Sequence, residues 1–410
     1  MLPSGVAGGH PDTVAAGVEI LEEGGTAADA AVAACLASCV AETIMTGLLG
    51  GGHALHWDGR EALLLDCFVD VPSGGGAPPV QLQVPFGEEL VHYAVGPGTC
   101  AVPGVPAGLD ALWRRHGRVP WPRLVEPALG LARRGVVVPP AHASCLAMLA
   151  PVFTMQPAGA RIYAPAGRPL AAGETLAQPG LAAALELVAA EGAATVYTGT
   201  LAEALLAQPG IPVTRADLER LEARWVEPVE VPYAGTRFLT RGDLAGVAEV
   251  LARLPRLRGR PERERLPALL AAFDGPEVDG DTTNLVTADG EGNVCVLTTS
   301  LGLGTGDFLP GLDLHLNSML GEVGLVRAPL EPGTRMASMM APSVALDGDG
   351  AVLAIGSAGS SPASARTLCS SWSGRAWSCA AGRRAITTSA ASARSGAPAG
   401  PATRAGAGTR

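Results

Sequence analysis

Two adjacent threonines, Thr282 and Thr283, follow Asp279-Gly280-Asp281 where a flexible loop enters a β-forming run. A second such run ends at Ser300, after the turn Asp289-Gly290-Glu291-Gly292-Asn293. Threonines beside Asp and Gly ordinarily serve turns or caps. The competing chemistry is nucleophilic. If the Asp281–Thr282 bond is cut, Thr282 becomes a chain end whose hydroxyl lies beside its own α-amine. A threonine hydroxyl is a weak nucleophile without an adjoining base, and a freed amine, with a reference pKa of about 7.7–8.0, is such a base. Gly280 makes a strained loop cheap, so the same hydroxyl could first attack the carbonyl before it. An oxyanion would need donors, and the stretch "GSAGS" offers the successive amides of Gly359 and Ser360.

Other chemistries find less support. His53 and His56 are three apart in an expected strand, so they point to opposite faces and cannot chelate one ion together. No metal and no cofactor is called for. The run "GLGTG" from Gly302 to Gly306 lacks a following helix pattern or Lys-Ser/Thr pair and reads as a backbone-contact loop rather than a phosphate cradle. The eight cysteines have no framework spacing, and Cys35 and Cys39 read as small buried thiols on one helix face. All 29 basic residues are arginine, which excludes a lysine Schiff base.

The elements that must carry these groups are readable. "HPDTVAAGVEILEEGGTAADAAVAACLASCV" gives two helices, with Pro11 in a first turn, Gly24-Gly25 as a stop and Thr26 as a cap. The second is apolar all round and should be buried. "HALHWDGREALLLDCFVDV" is a hairpin turning at Asp58-Gly59. From "PAGLDALWRRHG" to "TRADLERLEARW" the pattern is helical, and there Thr214 caps with Asp217 three residues on. Strands return in "VEPVEVPYAGTRFLT", a helix in "GDLAGVAEVLARLP", and a last hairpin in "PSVALDGDGAVLAIGSAG". Strand pairs with tight turns imply antiparallel sheets, and the helices must cover them: a layered α/β sandwich.

The chain has 410 residues, nearly half of them apolar, and a net charge of -10. Such a balance suits a large-cored globular protein and argues against binding to nucleic acid or a membrane surface. No apolar stretch reads as a membrane span. The start has neither a basic nor an apolar signal region, so a cytoplasmic location is expected, with export compatible if the start lies elsewhere.

The chain resembles the γ-glutamyltranspeptidase family of self-cleaving N-terminal nucleophile hydrolases. The similarity is carried by six ordered blocks, among them "HPDTVAAGVEILEEGGTAADAAVAA", "VPGVPAGLDALWRRHGRVPWPRLVEPALGLARRG", "DGDTTNLVTADGEGNVCVLTTSLGLGTG", "LHLNSMLGE" and "GSAGSS". The resemblance implies an αββα sandwich of antiparallel sheets covered by helices. It implies cleavage between Asp281 and Thr282, Thr282 as nucleophile with Thr283 its neighbour, and Ser300 where the family has a threonine bonded to the nucleophile. Gly359 and Ser360 fall on the oxyanion pair, and Ser is tolerated there if the backbone N–H does the work. The two segments, 1–281 and 282–360, would stay associated after the cut. The partners implied are a small-molecule amide or γ-glutamyl-like substrate and a water or amine acceptor.

Departures from the family pattern concern the substrate. Phe68 stands where an arginine usually binds the glutamyl α-carboxylate, and an apolar ring cannot replace a guanidinium fork. The usual asparagine appears as Gly302, a glutamine as Met319, and the second serine of a pair as Met339, leaving Ser338. Glu322 remains where the substrate ammonium is held. These changes point to an acyl group other than an ordinary γ-glutamyl; ordinary glutathione hydrolysis and an inactive truncated relative are the alternatives. After Ser360 the sequence turns rich in Arg, Ala and Ser, with seven arginines and no acid in 361–410. It reads as disordered or out of frame, which would leave the sandwich incomplete at its C-terminal end; if real, a basic tail suits an anionic partner.

Overall fold

The computed structural model describes residues 2–86, 89–272, 282–322, 324–326, 329–348, 350–357 and 386–389. Its centre is helix Ala27–Ala41, every residue of which is buried. Thr26 opens it with a capping box, its hydroxyl accepting from Asp29 N while the Asp29 carboxylate accepts from Thr26 N. The side chains are mostly alanine, so neighbouring elements approach closely on all sides. Helix Pro11–Glu22 precedes it and packs alongside. The capping box at Thr214 and Asp217 is likewise present.

A six-stranded antiparallel sheet lies against these helices. Its order is Gly5–Ala7, Thr283–Ala288, Val294–Ser300, Gly51–Trp57, Ala62–Cys67 and Arg224–Val226. The two hairpins read from sequence therefore sit side by side at its centre. A second sheet runs Ile386–Ser389, Gly350–Ser357, Ser343–Asp347, Thr236–Thr240 and Val229–Tyr233. It departs from the all-antiparallel expectation in one pairing: Ile386–Ser389, within the atypical tail, runs parallel to Gly350–Ser357. Two further two-stranded antiparallel pairs are present: Val80–Phe86 with Glu89–Val95, ahead of the helical block, and Val136–Val137 with Thr175–Leu176, which lie within it and are separated by helices. The two-residue strands are too brief to show any alternation against the helical periods around them.

Alternation along the central strands sets the layers. Leu285, Cys295 and Leu297 face the helices, while Val286, Val294 and Val296 meet Val344, Leu346 and Ala354 of the second sheet. Burying each such side chain contributes about 1.5–3 kcal/mol, so a one-residue slip of register would forfeit both cores at once. The result is helices on a sheet on a sheet, with helix Val247–Arg253 against the outer edge strand Val229–Tyr233.

Candidate active site

The end of the six-stranded sheet at which Thr283 begins gathers the chemistry. Thr283 faces Thr299, Ser300 faces Gly51, and Gly52 faces Cys67. Continuing the register by one residue sets Thr282 across from Ser300 and Phe68 across from Gly51. Thr282, Ser300 and Phe68 thus share one row on the face toward the second sheet, although they are far apart in the chain. Thr282 is buried, at 8% exposure. Ser300 Oγ accepts from Gly302 N at 3.0 Å, closing the turn after its strand.

One pleat further in, Asn284, Thr298, His53 and Asp66 form a second row on the same face. Thr298 Oγ1 donates to Asn284 Oδ1 at 2.7 Å. His53 is fully buried, stacks on the Phe68 ring at 5.5 Å and lies 3.4 Å from Asp66 Oδ1 without hydrogen-bond alignment. Burial, with Arg241 and Arg335 nearby, holds its pKa well below the usual imidazole range, so the ring is neutral. His56, on the opposite face as its spacing requires, stacks on His116 at 3.8 Å.

Phe68 belongs to an apolar cluster with Val69, Val71, Ala101, Met319, Leu325, Met336 and Met340, which Met339 joins from the side. Behind it Arg335 is committed to the protein itself. Its Nε donates to Asp70 Oδ1 at 2.6 Å, Nη1 to the Phe68 carbonyl at 3.1 Å and to Asp66, and Nη2 to the Glu222 carbonyl at 2.7 Å. A guanidinium with all three nitrogens engaged has little left for a ligand carboxylate. Ser338 is buried; its carbonyl accepts from Arg241 Nη1 at 2.7 Å and its Oγ from Met340 N at 3.2 Å. Glu322 is buried at the end of the short helix Met319–Gly321. A Cβ built on Gly302 would lie 2.8 Å from Glu322 Oε1, so the glycine brings that carboxylate against the turn that Ser300 closes.

The "GLGTG" run makes a backbone-contact loop, as read. A Cβ on Gly304, whose φ is +78°, would enter the His315 ring at 2.0 Å, and Gly306 N donates to His315 Nε2 at 2.9 Å. Asp281, Gly359 and Ser360 lie outside the described residues. Sequence reasoning missed Arg335 and His53 as neighbours of Phe68, Arg241 beside His53, and also Glu42. Thr283 Oγ1 donates to Glu42 Oε2 at 2.5 Å. An acid at the C-terminal end of a mostly apolar helix was the available signal.

A two-sheet core under helices, with a threonine heading a central strand, is the N-terminal nucleophile hydrolase architecture. The cephalosporin acylase of Bacillus halodurans shares the fold, with a TM-score of 0.69 and 22% identity over 85% of this chain and 75% of that one. The sequence profile of the Gamma-glutamyltranspeptidase family matches residues 13–255 and 261–370, and the chain belongs to that family. Among curated relatives, the Acylase ACY 1 proenzyme of Pseudomonas sp. (strain V22) is 30% identical over 417 aligned positions, covering 82% of this chain and 73% of the relative. The Glutathione hydrolase proenzyme of Bacillus subtilis (strain 168) is 25% identical over 444, covering 86% and 74%. The family is one of amidohydrolases and acyltransferases made as proenzymes that are cleaved into two subunits. The family match also runs past Ser360 into the segment whose composition had set it apart.

Proposed function

We propose that this chain cuts itself between Asp281 and Thr282 and then hydrolyses, or transfers, the acyl group of a small amide through an ester on Thr282. In the first step Thr282 Oγ attacks the Asp281 carbonyl carbon, the peptide bond shifts to an ester, and water releases the Asp281 carboxylate and a free Thr282 amine. In the second, Oγ attacks the substrate carbonyl and its proton passes to that amine. The tetrahedral intermediate collapses as the amine returns the proton to the leaving nitrogen. The amides of Gly359 and Ser360 are assigned the oxyanion. Water or an acceptor amine then takes the acyl group.

The observation that carries this reading is the buried Thr282 at the head of the central strand, opposite Ser300 in register. The acyl group is proposed to lack the α-carboxylate of an ordinary γ-glutamyl. Support comes from Phe68 within a methionine-rich cluster and from Arg335, whose nitrogens are spent on Asp70, Asp66 and backbone carbonyls. Replacing a charge-assisted carboxylate site by apolar side chains would weaken glutamyl binding by about 1.5–3 kcal/mol per lost bond. A second reading, ordinary γ-glutamyl hydrolysis, is favoured by Glu322, a buried carboxylate suited to an ammonium group.

Intact-mass analysis of the purified 41.3 kDa chain tests the self-cleavage. Two fragments, one beginning at Thr282, are expected; Thr282→Ala should leave one chain, and Thr282→Ser should still cut. Persistence of a single uncut chain in the parent protein would sink the reading. Paired assays of a γ-glutamyl anilide and an anilide of an unbranched aliphatic acid decide between the acyl groups.

A further inference from the structure

Behind the head of strand Thr283–Ala288 stands a buried carboxylate that the proposed reaction does not use. Glu42 follows helix Ala27–Ala41 as its C-terminal cap and is 1% exposed. Each of its oxygens accepts a threonine hydroxyl: Thr13 Oγ1 donates to Oε1 at 2.7 Å and Thr283 Oγ1 to Oε2 at 2.5 Å. Thr13 comes from helix Pro11–Glu22, so one carboxylate ties two helices to the strand. The Gly8-Gly9 turn closes over it. A Cβ on Gly9 would lie 2.2 Å from Glu42 Oε2 and 3.4 Å from Thr283 Oγ1.

Such a group is costly as mere filling. Burial pushes the Glu42 carboxyl up from its ordinary range, and the two hydroxyl bonds and the nearby His10 oppose that rise. Among the described residues no arginine or histidine forms an ion pair with it. A side chain of similar volume without charge would fill the space at lower desolvation cost. What the carboxylate adds is direction, because its geometry holds one hydroxyl of a residue whose backbone enters the site.

Side chains alternate across a strand, so Thr283 points to the helices while Thr282 points toward the second sheet. Fixing the Thr283 hydroxyl fixes that residue's rotamer and the peptide plane joining it to Thr282. Thr299, its cross-strand partner, is fixed from the same side by Thr46, with 2.8 Å between the two hydroxyl oxygens. The strand head is thereby clamped on its helix face, leaving the other face to chemistry.

We propose that Glu42 is a positioning residue for self-cleavage: by holding the Thr283 hydroxyl it sets the angle at which Thr282 Oγ meets the preceding carbonyl. This rests on the reading of Thr282 as the nucleophile. The test is the rate of conversion of the full chain to two fragments in Glu42→Gln, Thr283→Val, Thr283→Ser and the double variant Glu42→Gln/Thr283→Val, with melting temperatures taken in parallel. Gln offers one acceptor oxygen for two hydroxyls, and Val keeps the shape of Thr without its donor. Both single variants should cut about tenfold more slowly, the loss of one charge-assisted bond. The double variant should be no slower than the slower single, because both remove the same interaction. Thr283→Ser, which keeps the hydroxyl, should return the rate to near that of the parent. Parental rates in Thr283→Val and Glu42→Gln, multiplying defects in the double variant, or rates that follow melting temperature with no serine rescue would each overturn the proposal. If Glu42→Gln does not fold, the Val and Ser variants at position 283 decide it alone. A parent chain that never yields a Thr282 terminus would instead remove the nucleophile reading, and this proposal with it.

Discussion

Phe68 occupies the space that Gly51 leaves by having no side chain. A Cβ on Gly51 would lie 2.9 Å from Phe68 Cδ2 and 2.8 Å from Val69 Cγ1. The glycine is therefore a close-approach position in a central strand, and it determines where the ring sits relative to Ser300, its partner in register. Gly51→Ala should force Phe68 and Val69 outward and destabilise the protein by about 1–3 kcal/mol, as overpacking does. Urea denaturation of the two proteins measures this; an unchanged midpoint would show that the ring has room to move.

Phe68 also offers a handle on the acyl group. Phe68→Leu keeps the cluster apolar but withdraws the ring from the row containing Thr282 and Ser300. The expected result is a rise of about tenfold in KM for an aliphatic anilide, with self-cleavage unaltered, since a change of this size in an apolar pocket is worth about 1–3 kcal/mol. Equal KM values for the two enzymes would place the acyl group elsewhere.

Arg335 neutralises Asp66 and Asp70 beneath Phe68 and is itself only 9% exposed at its side chain. Arg335→Met leaves Asp70, 2% exposed, without its guanidinium. Breaking a buried pair from one side costs about 3–5 kcal/mol. Thermal and urea unfolding should register a loss of that order, whereas a loss under about 1 kcal/mol would mark the pair as screened like a surface bridge.

Acid should destabilise the fold from near neutrality. Burial lowers His56 and His315 from 6.5 to about 3 and His142 to about 4. The unfolded chain takes up these protons near pH 6.5, while the folded chain refuses them until well below. Stability from these rings is thus fully present above 6.5 and falls as pH drops toward 4, by up to about 1.4 kcal/mol per unit for each. Glu42, whose carboxyl is raised by burial, works in the opposite sense, because the folded state binds its proton first. Denaturation midpoints between pH 7 and 4.5 that stay level would contradict the neutral assignment of the histidines.

Much of the frame is legible in the sequence. The caps at Thr26 and Thr214, the hairpin at Asp58-Gly59 and the split of His53 and His56 to opposite faces all rest on local stereochemistry. The antiparallel pair Val80–Phe86 with Glu89–Val95, between the Asp58-Gly59 hairpin and the helical block, was not read from the sequence. The parallel partner Ile386–Ser389 was also missed, since composition says nothing about which edge a strand will find.

The nucleophile candidate and its family were determined by the sequence alone, because a threonine pair after Asp-Gly-Asp and six ordered blocks are features of order along the chain. Only the tertiary structure brought Phe68 into the row of Thr282 and Ser300, spent Arg335 on Asp66 and Asp70, and set Glu42 behind Thr283. Residues 42 and 283 are joined by a hydrogen bond across 241 positions of sequence. Contacts of that span come from the stacking of helix on sheet, which is set by packing and register rather than by any local pattern.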